Sequence, residues 1–249
     1  MAELDGKVAL VTGGSQNIGR AICLALAEAG ARILVNTRKS LDAAQQTIDE
    51  IRKAGGIAML APADVTDPAA VDRMVAEGVA AYGGIDILVN NAAVRKEAPI
   101  TEVSFAEWRE IVGIMLDGAF LCTTACIPHM RARGGGSIVT IGGMTGHSGA
   151  KERIHVVTAK AGLAGFTKAV ALDVAEFGIT ANCVVPGMIA TERGKHSPLN
   201  AQHHAQRAMP LGRKGEPGEV AALVRYLCSA QARYVTGQSW HINGGSLMP

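Results

Sequence analysis

Aromatic residues are scarce in this chain of 249 residues: two Trp, three Tyr and four Phe make up 4% of it. A core of this size must then be assembled from Ala, Val, Ile and Leu, a composition suited to helices packed closely on a parallel sheet. An excess of one charge is missing too. Twenty-four Lys and Arg stand against twenty-two Asp and Glu, and the resulting formal charge of +2 offers no basic field for a nucleic-acid backbone. Asp117, Pro128 and His129 interrupt the most apolar stretch, Ile111 to Met130, so no membrane span is expected. That stretch reads as a buried helix. Met1 to Val11 contain neither a basic leader nor a cleavage site, so a cytoplasmic protein is expected. Five cysteines, Cys23, Cys122, Cys126, Cys183 and Cys228, lie in apolar segments and are expected to be reduced core thiols.

What the chain does contain is a regular alternation. Short runs rich in Val, Ile and Leu predict strands at Lys7 to Val11, Arg32 to Asn36, Ile57 to Leu60, Ile85 to Asn90, Ser137 to Ile141, Thr180 to Val185 and Ser239 to Ile242. Between them, helical spacing of apolar residues predicts helices at Ile18 to Ala29, Leu41 to Ala54, Pro68 to Ala81, Phe105 to Arg131, Arg153 to Glu176 and Pro217 to Ser229. Ser40, Asp67 and Ser104 are the expected caps. The order is that of a parallel sheet with crossover helices, class α/β. Gly187 to Gly215 fits neither pattern and is too long for an ordinary connection, so it is expected to cover a substrate.

The first strand runs directly through Thr12-Gly13-Gly14-Ser15-Gln16-Asn17-Ile18-Gly19 into an Ala-rich helix. A strand that turns through glycines into a helix start aims backbone N–H groups and the helix dipole at a pyrophosphate. The second strand ends at Asn36-Thr37-Arg38-Lys39, where an acidic residue would hydrogen-bond a bare ribose. None is present. Arg38 and Lys39 instead offer positive charge for a 2′-phosphate, which favours NADP(H) over NAD(H).

These residues, with Asp64-Val65, Asn90-Asn91-Ala92-Ala93, Lys160-Ala161-Gly162, Asn182, Pro186-Gly187 with Thr191, Val235-Thr236-Gly237 and Gly244-Gly245, fall in the order and spacing of the short-chain dehydrogenase/reductase family, which the chain resembles over essentially its whole length. The resemblance implies one Rossmann-like doubly wound domain over residues 1–249 with a seven-stranded parallel sheet. It also implies assembly as a homotetramer or homodimer through the two long helices and the last strand. By the same resemblance Asp64 and Val65 would hold the adenine, Asn91 the adenosine side, Lys160 the nicotinamide ribose, and Ile189 and Thr191 the carboxamide. Asn17 stands where the family has its middle glycine, and asparagine is the residue best able to replace glycine in a left-handed backbone. Ala93 replaces the last glycine of an Asn-Asn-Ala-Gly pattern.

The resemblance fails at the catalytic positions. The family carries a tyrosine four residues before the lysine and a serine thirteen before the tyrosine, which here are Val156 and Gly143. Its catalytic asparagine falls on Met115 when Leu116 to Phe120 is aligned with the Asn-Leu-x-Gly-x-Phe pattern. Hydride transfer to a carbonyl builds charge on oxygen, which a hydroxyl donor must meet with a hydrogen bond and then a proton. Val156 and Gly143 have no such donor. Replacements are sought in the polar segment before Val156. Arg153 shares a helix face with Val156 and Lys160 and could anchor a carboxylate or polarise an oxygen, though it cannot release a proton at ordinary pH. His155, as an imidazole able to act near neutral pH, and His147, on the loop after the vacated serine position, are the candidate acids. His196, His203 and His204 have poor ligand spacing, and no metal site is expected.

Three functional readings follow from the sequence. The first is an NADP(H)-dependent oxidoreductase with a non-standard active site, acting on an imine, an activated C=C or a carbonyl served by another proton donor. The second is a catalytically silent nucleotide-binding protein, and the third a lyase or isomerase on the same fold. The expected partner is a small-molecule substrate, with neither nucleic acid nor membrane involved.

Overall fold

The computed structural model describes residues 2–191 and 209–249. Seven strands form one parallel sheet in the order β3-β2-β1-β4-β5-β6-β7: β1 Val8–Val11, β2 Arg32–Thr37, β3 Ile57–Pro62, β4 Ile87–Asn90, β5 Gly136–Ile141, β6 Ile179–Pro186 and β7 Ser239–Ile242. Successive side chains of a strand point to opposite faces, and both faces here are covered by helices. In β1, Ala9 and Val11 enter one core with α1 (Asn17–Glu28), α2 (Leu41–Lys53) and the helix at Pro217–Cys228. Val8 and Leu10 enter the other core with α3 (Pro68–Tyr82) and the long helix that begins at Phe105. Burial on both sides is why these strands read as continuous apolar runs.

The long helix departs from its predicted form. It is α4 (Phe105–Val112), a π turn at Gly113–Asp117, and α5 (Gly118–Ala132). Among the described residues it alone is long and apolar enough to cross a membrane by length and composition, and half of its most apolar window is buried in the fold. Ile111, Met115 and Ala119 from this helix pack on Val156, Ala159 and Leu163 of α7 (Ile154–Val174). A short turn, α6 (Thr145–Ser148), precedes α7, and the helix at Pro217–Cys228 is α8.

Of the three expected caps, two make their side-chain bonds. Asp67 accepts from the Ala69 N–H at 3.0 Å, and Ser104 from the Glu107 N–H at 3.1 Å. Ser40 makes no side-chain cap bond; its own N–H donates to Thr37 Oγ1. All five cysteines are free and buried. Burial pushes the Cys122 and Cys228 thiols up to about 12 and removes them from thiolate chemistry. Of the segment 187–215, residues 192–208 lie outside the described part, as do His196, His203 and His204. Its two described ends meet at a parallel bridge between Ile189 and Gly215.

Candidate functional site

A cavity of ≈ 1140 Å³ follows the C-terminal edge of the sheet. It lies where β1 is flanked by β2 on one side and β4 on the other, so the crossovers leave in opposite directions and open a crevice. At one end the turn after β1 supplies Gly13, Ser15, Asn17, Ile18 and Gly19. Asn17 has φ 52, the left-handed backbone expected of it. The turn is closed tightly. A Cβ on Gly19 would lie 2.1 Å from the Gly13 carbonyl oxygen, so no other residue fits there without moving backbone.

Three side chains outside the glycine pattern brace that turn. Thr12 Oγ1 accepts from the N–H groups of Asn91 and Ala92 at 2.9 and 3.0 Å. Asn91 Nδ2 donates to the carbonyls of Thr12 and Gly13 at 2.9 and 3.0 Å. Asn36 is buried; its Oδ1 accepts from the Gly13 N–H at 3.2 Å, and its Nδ2 donates to the Ala61 and Ala63 carbonyls. The sequence pattern points to neither Thr12 nor Asn36 as a brace of the turn. Neither pairing has a local signal, because the partners are tens of residues apart.

The middle of the cavity is polar. Arg38, Lys39, Asp64 and Val65 line it, and Arg38 Nη1 lies 3.1 Å from Asp64 Oδ2. Burial raises the Asp64 carboxyl, but hydrogen bonds from Thr66 N–H and Oγ1 and the Arg38 guanidinium outweigh it and hold the group below the usual range. At the far end are Pro186, Gly187, Ile189, Thr191 and Lys160. Lys160 Nζ donates to the Ile141 carbonyl at 2.6 Å. Burial and then the charge of Arg95 bring its ammonium down to about 8.

Around Lys160 the wall is apolar. Met115, Gly143, Met144 and Val156 line the cavity beside it, and Met115 and Val156 are 2% and 3% exposed. Among the described lining residues there is no tyrosine, and the hydroxyl nearest in sequence to Gly143 is that of Thr145. Arg153 lines the same cavity and is buried. It is the residue that caps α7, with φ -134, and not a member of its first turn as expected.

Two predicted site residues are not brought to the cavity. His155 is 0% exposed: the Val156 N–H donates to its Nδ1 at 2.8 Å, and its Nε2 faces Glu107 Oε1 at 3.3 Å. One residue of helical rotation turns it away from Val156's wall and into α4, so it cannot serve as the acid. Burial holds its pKa below the ordinary value, against the pull of Glu107. His147 is exposed on α6 and stacks edge-on with His241, ring centroids 4.7 Å apart, outside the cavity. Arg95 and Lys214, which were not singled out in the sequence, do line it. Among the described residues no group of three or more His, Cys, Asp or Glu could hold a metal.

The glycine turn, the left-handed Asn17 and the basic pair at Arg38 and Lys39 fit a phosphorylated dinucleotide laid along this edge. Comparison with known proteins agrees with that shape. A family profile described as Enoyl-(Acyl carrier protein) reductase matches residues 13–246. A 3-oxoacyl-[acyl-carrier-protein] reductase of Synechocystis sp. is 38% identical over 249 residues, all of both chains. A short-chain type dehydrogenase/reductase structure from Mycobacterium marinum superposes with a TM-score of 0.92 at 39% identity, over 99% of this chain and 98% of that one. A short chain dehydrogenase structure from Burkholderia cenocepacia, solved in complex with NADP, gives a TM-score of 0.91 at 32% identity, over 98% of this chain and 99% of that one.

Proposed function

The chain belongs to the short-chain dehydrogenase/reductase family, and on that footing we propose that it is an NADP(H)-dependent oxidoreductase of a small-molecule substrate. The observation that carries the reading is one continuous cavity from the Gly13–Gly19 turn, past Arg38 and Lys39, to Lys160. The turn and the N-terminus of α1 hold the pyrophosphate, and Arg38 and Lys39 take the 2′-phosphate, for which Arg38 exchanges its bond to Asp64. Val65 packs on the adenine beside Asp64. Lys160 holds the nicotinamide ribose, and Ile189 and Thr191 meet the carboxamide. When bound, NADPH supplies a hydride.

The active site is a non-standard one. Val156, Gly143 and Met115 take the places of the family's tyrosine, serine and asparagine, so no phenol meets a developing alkoxide, a loss that costs about 10²–10³-fold in rate. The proton comes instead from the Lys160 ammonium, lowered to about 8 and so both charged and willing to release near neutrality, with water restoring it. Imines and activated C=C bonds, which put less charge on oxygen, suit such a site better than ketones. That the segment 187–215 covers the substrate is supported by its described ends, since Thr191 and Lys214 both line the cavity.

Restoring the lost groups is the test. A Cβ on Gly143 would meet Lys160 carbons at 3.6 Å, ordinary contact, so Gly143→Ser fits beside the lysine. Val156→Tyr adds volume to a buried cluster and costs about 1–3 kcal/mol. NADPH oxidation is followed with a 3-oxoacyl thioester, a cyclic imine and an enone. The parent should favour the imine or enone, and the double variant should gain about 10²-fold on the thioester. A parent that reduces the thioester as fast as the variant overturns the non-standard site, and absence of NADPH binding overturns the oxidoreductase. NADPH binding without turnover of any substrate favours a catalytically silent protein, a reading supported by the closed packing of Met115 on Val156.

A further inference from the structure

We propose that the substrate half of the cavity is a carboxylate site, anchored by Arg95 and Arg153. The inference rests on the oxidoreductase reading only for which half of the cavity the substrate takes. Among the described residues, six basic side chains line the cavity, Arg38, Lys39, Arg95, Arg153, Lys160 and Lys214, against one acid, Asp64. Arg38 and Lys39 serve the phosphate end, where Asp64 also lies. Arg95 and Arg153 line the cavity with Lys160.

Both arginines act at Lys160, since each of their charges lowers its ammonium. They come from two segments that are tied together. Arg95 follows β4, and three residues on the Ala98 N–H donates to the Glu152 carbonyl at 2.8 Å. Glu152 itself has φ 61, a left-handed backbone unusual for its type, immediately before Arg153. Glu97 Oε1 lies 3.7 Å from Arg153 Nε, which seats a guanidinium that is 7% exposed. Arg153 lines the cavity together with Met115, Met144 and Val156.

Two planar guanidiniums beside an apolar wall suit a carboxylate on a short apolar body, since each fork can take two oxygens in one plane. Such an anchor would hold the hydride acceptor against Lys160 without any help from a phenol.

The test titrates benzoate, its neutral isostere benzamide, and inorganic phosphate by calorimetry into the protein, with and without saturating NADP⁺. Benzoate should bind at least about tenfold more tightly than benzamide, and Arg95→Gln and Arg153→Gln should each remove about tenfold of benzoate affinity while sparing benzamide. Arg153→Lys should restore only part of the loss. Arg95 is exposed, so its variant decides the matter even where Arg153→Gln unfolds the α7 start. Equal binding of benzoate and benzamide, tighter binding of phosphate than of benzoate in saturating NADP⁺, or arginine variants that bind benzoate as the parent does would overturn the site. A protein that binds benzoate through these arginines but not NADP⁺ supports the carboxylate site while removing the dinucleotide reading.

Discussion

Lys160 joins two effects that pH separates. Its ammonium, at an ordinary value of 10.5 in an unfolded chain, is brought down to about 8 by burial and by Arg95. Between those values the unfolded chain binds more of this proton than the fold does, so this residue's contribution to stability grows as pH rises from about 8 toward 10.5. Its power as an acid falls over the same interval. The expected outcome is a kcat that declines above about pH 8 while thermal stability, taken relative to Lys160→Met, increases. A flat kcat profile from about pH 7 to 9.5 would remove Lys160 as the proton source. His155 and Arg153 illustrate the limit of residue-level reading. They are two positions apart, yet His155, in the first turn of α7, is turned into α4 against Glu107, while Arg153, at the cap before that turn, lines the cavity.

At the scale of elements, the ends of the strands divide the labour. The C-terminal ends of β1, β4, β5 and β6 open onto the cavity, while the N-terminal ends are fastened by Asp86. That carboxylate is 2% exposed, accepts from the Val8 N–H at 3.0 Å, and meets Lys7 at 3.1 Å and Arg133 at 3.0 Å. It thus joins β1, β4 and the chain after α5. Asp86→Ala should lower unfolding free energy by about 2–4 kcal/mol, measured by urea denaturation, because a buried acceptor is lost and a backbone donor is left unpaired. Nucleotide affinity should stay within about twofold, since the change lies at the opposite edge of the sheet from the cradle. The π turn at Gly113–Asp117 is the other element-level device. It sets Met115 into the cavity wall and so decides which side chain of a long apolar helix faces the chemistry.

At the scale of the molecule, the two outer helical faces carry apolar side chains that the fold does not use. Phe120 on α5 is 54% exposed and Leu172 on α7 is 81% exposed. Exposed apolar surface on long helices is suited to symmetric association, in keeping with the homotetramer or homodimer that the family resemblance implies. Sedimentation should give four or two times the mass of one chain, and Phe120→Glu should shift it downward. A parent that sediments as a monomer at micromolar concentration would refute this.

Much of this architecture was legible in the chain. Apolar runs, helical spacing and glycine punctuation act over a few residues and express sterics that hold in any fold, so all seven strands and the Asn17 turn could be placed from sequence. The cavity-lining set of the nucleotide end was legible too, because its residues sit at strand ends and a parallel sheet gathers strand ends along one edge. What only the tertiary structure decided was the fate of side chains whose partners are distant in sequence. Asn36 reaches the Gly13 turn, His155 is claimed by Glu107, and Glu97 seats Arg153. The last two pairings depend on the packing of α7 against α4 and on the left-handed step at Glu152, and neither leaves a local pattern to read.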